Sequence, residues 1–187
     1  MSWLLALDVR AQLKPAIKRY AFDAIQLGLG LLTVVALSCL FDAIQNGLLG
    51  YPEDTAVTRT AKFQSHLNRD VLPIAWVAHC DGRVFGTAAL RVHDLEGRED
   101  LTPWLGGVLV EPQFRYRGIG AALCQAVEEK AYALGMLKLY LFTLDKQAWY
   151  RSRGWSMAGP CSWRGHPGNI MHKPLHAGQH CAAADRP

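Results

Sequence analysis

The N-terminal part of the chain mixes amphipathic and strongly apolar stretches. Residues 3–27 carry apolar side chains at helical spacing, which predicts a helix. Residues 31–37 are apolar and β-branched, which predicts a buried strand, and Ser38 is placed to cap a following helix. Residues 24–41 contain no charged side chain, but glycines interrupt them and they barely reach the ~20 residues that a membrane span needs. A buried strand and helix are therefore favoured, and a transmembrane helix stays open as the alternative.

From residue 72 onward, the spacing of apolar residues becomes that of β-strands. Residues 72–79 and 84–92 predict two strands, and the Asp81-Gly82 pair between them supplies the positive φ angles of a tight hairpin turn. The elements predicted after this hairpin are a strand at 104–110, a helix at 119–134, a strand at 137–143, a short helix at 147–152, and two strands around Trp155 and Ile170. This order of elements predicts an α+β fold.

The same pattern divides the chain into three parts. Residues 1–30 are predicted to be an N-terminal helical extension, residues 31–175 the folded domain, and residues 176–187, which are small and polar, a disordered tail. With 187 residues, of which 50% are hydrophobic and 19% charged, the chain is long enough for one well-packed domain.

Charge and cysteine content exclude several classes of function. The net charge of +4 is spread thinly, without the Lys/Arg block of a nucleic-acid surface, so no nucleic-acid partner is expected. The five cysteines include no C-x-x-C pair, which argues against a metal site and against a disulfide framework and favours a reducing compartment. Charged residues precede the apolar run and no clear cleavage site follows it, so we expect no signal peptide and a cytoplasmic location.

The segment most informative about function runs from a predicted strand through a glycine-containing turn into a predicted helix. Residues 115–120 read Arg-Tyr-Arg-Gly-Ile-Gly. The first N–H groups of a helix lack intrahelical acceptors and carry partial positive charge, so they bind phosphate, and glycine lets a ligand approach the backbone closely. Arg115 and Arg117 can add charge-assisted hydrogen bonds. The chain has neither a G-x-x-x-x-G-K-[ST] motif nor a G-x-G-x-x-G motif with a downstream acid, which excludes two other nucleotide-binding patterns.

This segment resembles motif A of the GNAT acetyltransferases, R/Q-x-x-G-x-G/A, with Arg115, Gly118 and Gly120 at the three fixed positions. Residues 108–112 before it match the family's V-x-V-x-P pattern, and residues 150–155 are similar to its later Y-x-x-x-G-F/W signature. The resemblance covers residues 55–175 well and 31–54 loosely. It implies a GNAT-like fold, a mixed, largely antiparallel sheet flanked by helices.

The resemblance also implies acetyl-CoA as co-substrate and gives roles to residues of this chain. The main chain of Val108 and Val110 would hold the pantetheine arm. The residues that would wrap the pyrophosphate are Arg115, Tyr116, Arg117, Gly118, Ile119, Gly120 and Ala121. Tyr150 matches the tyrosine that protonates the departing thiolate, and a packing role is its alternative. A phenol with a pKa near 10 stays protonated at neutral pH and can donate.

The predicted reaction is transfer of an acetyl group from acetyl-CoA to a primary amine, by direct attack in a ternary complex. The acidic residues of the stretch 94–100 predict a cationic amine acceptor. The general base is left open, because each candidate carboxylate is more often a solvated surface charge. The candidates are Glu96, Glu99, Asp100 and Glu111. The alternatives are a GNAT-like module that binds acyl-CoA or a partner without turnover, and a membrane-attached acetyltransferase that uses residues 3–41. A homodimer is also left open.

Overall fold

A computed structural model describes residues 5–6, 66, 68, 70–80 and 83–176 of the chain. The strand predicted at 31–37, the helix predicted after Ser38, the Asp81-Gly82 turn and residues 177–187 lie outside the described residues. Those expectations stay predictions, as do the limits of the three predicted parts of the chain.

The strands and helices predicted from residue 72 onward are confirmed. The described elements are, in chain order, β1 (Leu5–Ala6), β2 (Ile74–Cys80), β3 (Arg83–Arg91), β4 (Trp104–Val110), a 3-10 turn (Pro112–Phe114), α1 (Ile119–Ala133), β5 (Lys138–Thr143), α2 (Gln147–Arg151), β6 (Ser156–Trp163) and β7 (His166–Pro174). Periodicity predicted these elements because each has a buried face, and side chains recur on that face every second or every third to fourth residue.

The strands form one mixed sheet in the order β1-β2-β3-β4-β5-β7-β6. The pairs β2/β3, β3/β4, β5/β7 and β6/β7 are antiparallel, whereas β1/β2 and β4/β5 are parallel. A parallel pair needs a crossover connection, and α1 supplies it between β4 and β5. The largely antiparallel, GNAT-like sheet that the resemblance implies is confirmed.

Residues 5 and 6 differ from the prediction of a helix over 3–27. Leu5 pairs with Trp76 and Ala6 with Val77 in parallel register, so both residues are extended. The short strand supplies hydrogen-bond partners to the backbone groups at the edge of β2. The spacing of side chains within 3–27 gives no information on this pairing with a distant strand, so the pattern did not predict it. The other residues of the predicted N-terminal extension lie outside the described part of the chain.

Apolar side chains pack on both faces of the sheet. The larger cluster includes Ile74, Leu90, Leu105, Leu123, Val127, Leu139, Leu141 and Met171. The smaller cluster includes Leu95, Trp104 and Ile170, with Tyr140 and Phe142 packed against it. Neighbouring residues of β4 and β5 fall into different clusters because successive strand side chains point to opposite faces. α1 contributes to the larger cluster, so it covers one face and its N-terminus lies where β4 ends.

A buried polar network ties α1 to Trp155 and to strand β7. Lys173 Nζ on β7 donates to Glu128 Oε2 on α1 at 2.7 Å, and Trp155 Nε1 donates to Glu128 Oε1 at 3.2 Å. The Lys173 and Glu128 side chains are only 13% and 9% exposed. Because both carboxylate oxygens have donors, the buried charge is compensated and fixes α1 against β7.

None of the helices that the structure describes is long and apolar enough to cross a membrane.

Candidate active site

Strand β4 is the centre of the candidate site because it separates from its neighbour β5. Trp104 and Tyr140 form the one described residue pair between these two parallel strands, so β4 has no described partner on β5 beyond Trp104. On its other side, the register between β3 and β4 shifts between Thr87 and Ala89, and Gly107 on β4 has a φ of 60°. Such a bulge bends a strand and increases its twist. The edge of β4 that faces β5 is therefore unpaired beyond Trp104 among the described residues, and we call this open edge the gap.

The chain leaves β4 through a turn that has two residues in the left-handed region. Tyr116 has a φ of 61° and Gly118, the residue that precedes α1, has a φ of 84°. Glycine adopts this region without strain, whereas another residue is strained there by ~1–2 kcal/mol. The Tyr116 side chain is fully exposed, so it gains no packing in compensation. Strain of this kind is typical of ligand-binding turns.

The N-terminus of α1 has no side-chain cap. Gly118 makes no capping hydrogen bond, the first helical turn contains no acidic residue, and the first intrahelical bond is Ala122 N–H to the Gly118 carbonyl at 3.0 Å. The amides of Ile119, Gly120 and Ala121 therefore have no capping acceptor among the described residues. Together with the helix dipole they favour an anion at this end of α1.

Two exposed arginines flank this helix end. Arg115 Nε donates to the Val110 carbonyl at 2.9 Å, which fixes its stem against the end of β4. The Arg117 guanidinium lies 5.5 Å from the centre of the Phe114 ring, and Phe114 stacks on Phe85 of β3 at 4.9 Å. Both side chains are exposed, so their guanidinium groups can add charge-assisted hydrogen bonds to an anion at this end of α1.

Gly120 lets the first turn of α1 pack closely on its neighbours. A Cβ at this position would lie 3.7 Å from the Trp149 ring and 3.7 Å from a Val110 methyl group. Val108 and Val110 are themselves half-buried against the larger core cluster. The structure thus brings the predicted strand positions and the predicted turn together at one end of the gap.

Tyr150 is a buried residue of α2. Only 8% of it is exposed, and its ring packs edge-to-face on Trp149 at 4.8 Å and on Trp155 at 5.9 Å. Burial, with smaller contributions from Cys124 and Asp94, raises the pKa of the phenol above its ordinary value of 10.0, so it carries its proton at neutral pH. The hydroxyl has no hydrogen-bond partner among the described residues. Both the packing role and the proton-donor role remain compatible with this geometry.

The acetyltransferase (GNAT) domain family matches residues 73–157, a segment that contains β4, the turn, α1 and Tyr150. This segment of the chain is therefore similar to a GNAT acetyltransferase domain. The amino-acid acetyltransferase of Ralstonia nicotianae is 32% identical over 88 residues, which are 47% of this chain and 18% of that enzyme. The enzyme of the same name from Azotobacter vinelandii is 32% identical over 80 residues, 42% of this chain and 17% of that enzyme. The chain thus spans less than a fifth of these relatives.

The fold of the chain is also similar to that of solved acetyltransferases. An aminoglycoside 6'-acetyltransferase type Ii aligns with a TM-score of 0.61 at 19% identity, over 89% of this chain and 97% of that one. The N-acetylglutamate synthase of Neisseria gonorrhoeae, solved with coenzyme A and N-acetyl-glutamate, aligns with a TM-score of 0.57 at 19% identity, over 83% of this chain and 36% of that one. At these identities the likeness shows a shared fold.

The loop between β3 and β4 has fewer free charges than its sequence indicates. Asp94 pairs with Arg91, and Asp100 accepts two hydrogen bonds from Arg98 at 2.8 and 2.9 Å. The hydrogen bond from Arg98 lowers the pKa of the Asp100 carboxyl. Glu99 accepts a bond from the Gly97 amide at 3.0 Å. The pull of this loop on a cationic acceptor is therefore weaker than its four acidic residues suggest, and the cationic acceptor stays a prediction.

The sequence did not single out Asp94, whose environment differs from that of the other acidic residues in this loop. Its side chain is 10% exposed, whereas Glu96, Glu99 and Asp100 are exposed. Its carboxylate lies against β4, so close that a Cβ at Gly106 would be 2.5–2.7 Å from it. Two consecutive glycines within a predicted strand are a signal of close approach and could have indicated this contact. No metal-binding group of three or more His, Cys, Asp or Glu side chains occurs among the described residues.

Proposed function

We propose that this protein is an acetyl-CoA-dependent N-acetyltransferase that transfers the acetyl group to a primary amine. The observation that carries the proposal is the uncapped N-terminus of α1, placed by a left-handed Gly118 at the end of a strand that has parted from β5. An anion site and an open strand edge at one place suit a ligand that has a pyrophosphate at one end and a long amide-containing arm.

The pyrophosphate would bind the amides of residues 119–121 together with the side chains of Arg115 and Arg117. Residues 115–121 would supply backbone amide groups and positive charge to the pyrophosphate, and Tyr116 lies exposed within this turn. The pantetheine arm would then run along the edge of β4 at Val108 and Val110, where main-chain groups face the gap. Hydrogen bonding of such an arm to an open strand edge follows the same rules as adding a strand to a sheet.

The reaction we infer is direct attack of the amine on the thioester carbonyl within a ternary complex. The nitrogen forms a bond to the carbonyl carbon, the carbon–sulfur bond breaks, and the sulfur takes a proton. Tyr150 of α2 would supply that proton, because its phenol is buried in the larger core cluster and is protonated at neutral pH. Neither described cysteine has a lowered thiol pKa, since burial raises the pKa of both Cys124 and Cys161, so direct attack is preferred to an acetyl-cysteine intermediate.

A non-catalytic acyl-CoA-binding module is the second candidate. The observation in its favour is the place of Tyr150 in the larger core cluster, where a tyrosine can serve for packing alone. The two candidates predict the same binding of acetyl-CoA and differ in turnover.

The test is an acetyl-CoA turnover screen with release of free thiol as the measured signal. The amine library should include free amino acids and aminoglycosides, the classes named by the relatives, together with polyamines and peptide N-termini. We expect amine-dependent thiol release that is lost in Gly118→Glu. Tight binding of acetyl-CoA without release of thiol above background for any amine would contradict the enzyme proposal and support the binding module.

A further inference from the structure

The ion pair between Arg91, the last residue of β3, and Asp94 packs against β4 at the bulge. Asp94 occupies the space where a side chain at position 106 would be, and Arg91 Nη2 is 3.0 Å from the place that a Cβ would take at Gly107. Two consecutive glycines thus leave room for one ion pair. The ion pair lies where β4 separates from β5, since the last described residue pair between these two strands is at Trp104.

This ion pair lies on the face of the sheet opposite α1. Leu90 and Leu105 belong to the cluster that α1 joins, and Arg91 and Gly106 are their next neighbours along the strands, so their side-chain positions point the other way. A substrate that reaches the gap from this face would not meet the turn and the helix end that we assign to acetyl-CoA.

The expected position of the thioester can be placed from the proposed function, on which this inference rests. With the pyrophosphate at the start of α1, the arm runs back along β4 from Val110 towards Trp104. Four residues of strand, from Val110 to Gly106, span about 13 Å at 3.3 Å per residue. The acyl end of an extended arm therefore reaches the level of the bulge.

We propose that Asp94 is the carboxylate that binds the acceptor amine and takes its proton, and that Arg91 is the positioning residue that holds it there. The ammonium group of the acceptor first gives one proton to Asp94, which frees the lone pair that attacks the carbonyl carbon. After the new bond forms, the nitrogen loses its second proton to solvent. The leaving sulfur takes its proton from Tyr150, which solvent then reprotonates. Asp94 returns its proton to solvent.

Two further contacts support this assignment. Arg91 Nε is buried and has no hydrogen-bond partner among the described residues, and an unsatisfied buried donor costs stability. The charge of Asp94 also contributes to the raised pKa of Tyr150, which places the proposed proton acceptor and the proposed proton donor within electrostatic reach of each other.

The test compares Asp94→Asn with Asp100→Asn. Asn keeps the shape of Asp, and Asp100 is the matched control because it pairs with an arginine in the same loop but is exposed. Rates are measured by thiol release with the amine that the wild type turns over fastest, with L-glutamate and kanamycin as reference probes. We expect Asp94→Asn to lower kcat/KM for the amine by about 10²–10⁴-fold and Asp100→Asn to change it less than about threefold. Affinity for acetyl-CoA, measured by calorimetry, should be unchanged in both.

A second variant tests the same carboxylate through its neighbour. Gly106→Ala places a methyl group against Asp94 and should reproduce the kinetics of Asp94→Asn with an unchanged KM for acetyl-CoA. In an Asp94→Ala background the clash is gone, so Gly106→Ala should cause no further loss, a non-additivity that a general defect of the strand would not produce. Arg91→Lys, which keeps the charge, should recover more activity than Arg91→Met.

Wild-type kcat/KM for the amine in a folded Asp94→Asn protein would overturn this inference and leave the proposed acetyltransferase intact. Failure of the wild type to bind acetyl-CoA would instead refute the proposed function, and this inference with it.

Discussion

The substitution Tyr150→Phe removes only the hydroxyl group and keeps the ring, so it tests a catalytic role of Tyr150 apart from its packing role. The ring contacts with Trp149 at 4.8 Å and Trp155 at 5.9 Å are kept, and the lost hydroxyl has no described hydrogen-bond partner. The free energy of unfolding should therefore change by less than about 0.5 kcal/mol. If the hydroxyl is the general acid, kcat should fall by about 10²–10⁴-fold, which corresponds to about 2.7–5.4 kcal/mol of lost transition-state stabilisation.

The assay is steady-state thiol release at saturating acetyl-CoA, with the melting temperature measured in the same buffer. Tyr150→Leu tests packing, because it removes the aromatic pairs, each worth about 0.5–1.5 kcal/mol, and should lower the melting temperature. Tyr140→Phe is the matched control on β5, where the ring packs against Trp104 at 6.0 Å on the other face of the sheet. A Tyr150→Phe protein with wild-type kcat and melting temperature, under conditions where chemistry limits the rate, would show that Tyr150 only packs.

Two predictions concern stability. Lys173→Met should lower the free energy of unfolding by about 3–5 kcal/mol in a denaturant titration, because it leaves the buried Glu128 carboxylate without its cation. Lys130→Met should lower it by less than about 1 kcal/mol in the same titration, because its partner Asp70 is exposed. Equal losses in the two variants would contradict the importance of burial. Burial raises the pKa of the Cys124 thiol from 9.0 to about 12, so the native state keeps this proton after the unfolded chain has lost it. The contribution of the thiol to the free energy of unfolding is therefore fully present below pH 9.0 and falls as pH rises towards about 12. Cys124→Ala should show a shallower fall over that window by calorimetry or denaturant titration, and an unchanged slope would assign the alkaline loss to other groups.

Local patterns sufficed for the elements from β2 to β7 because each signal is carried by neighbouring residues. Leu139 and Leu141 on β5 are buried on the face that α1 covers, and the alternation that predicted their strand is the same alternation that buries them. The turn before α1 was predictable for a similar reason. Glycine adopts the left-handed backbone conformation without strain, so the presence of Gly118 in the sequence was itself the signal for the turn.

Contacts between distant segments could not be read in the same way. The pairing of Leu5 with Trp76 depends on a free edge of β2, and the contact of Asp94 with Gly106 depends on where a loop folds back. The charges of that loop were misleading for the same reason, because the sequence shows four acidic residues and the structure shows that Asp94 and Asp100 form ion pairs with arginines. Within the candidate site, the glycine turn before α1 was predictable from the sequence, whereas the contact of Asp94 with β4 became visible only in three dimensions.

The central claim, that acetyl-CoA binds at the start of α1, is tested most directly by calorimetric titration of acetyl-CoA into wild type, Gly118→Glu and Gly135→Glu. The two glycines are matched, since they have φ angles of 84° and 81°, neither has a heavy atom within 4 Å of an added Cβ, and they lie at opposite ends of the same helix. Each variant should lose stability to a similar extent, by ~1–2 kcal/mol for the left-handed backbone. We predict wild-type affinity in Gly135→Glu and no detectable binding in Gly118→Glu, where a carboxylate would stand in the anion site. Unchanged affinity in a folded Gly118→Glu protein would contradict the account.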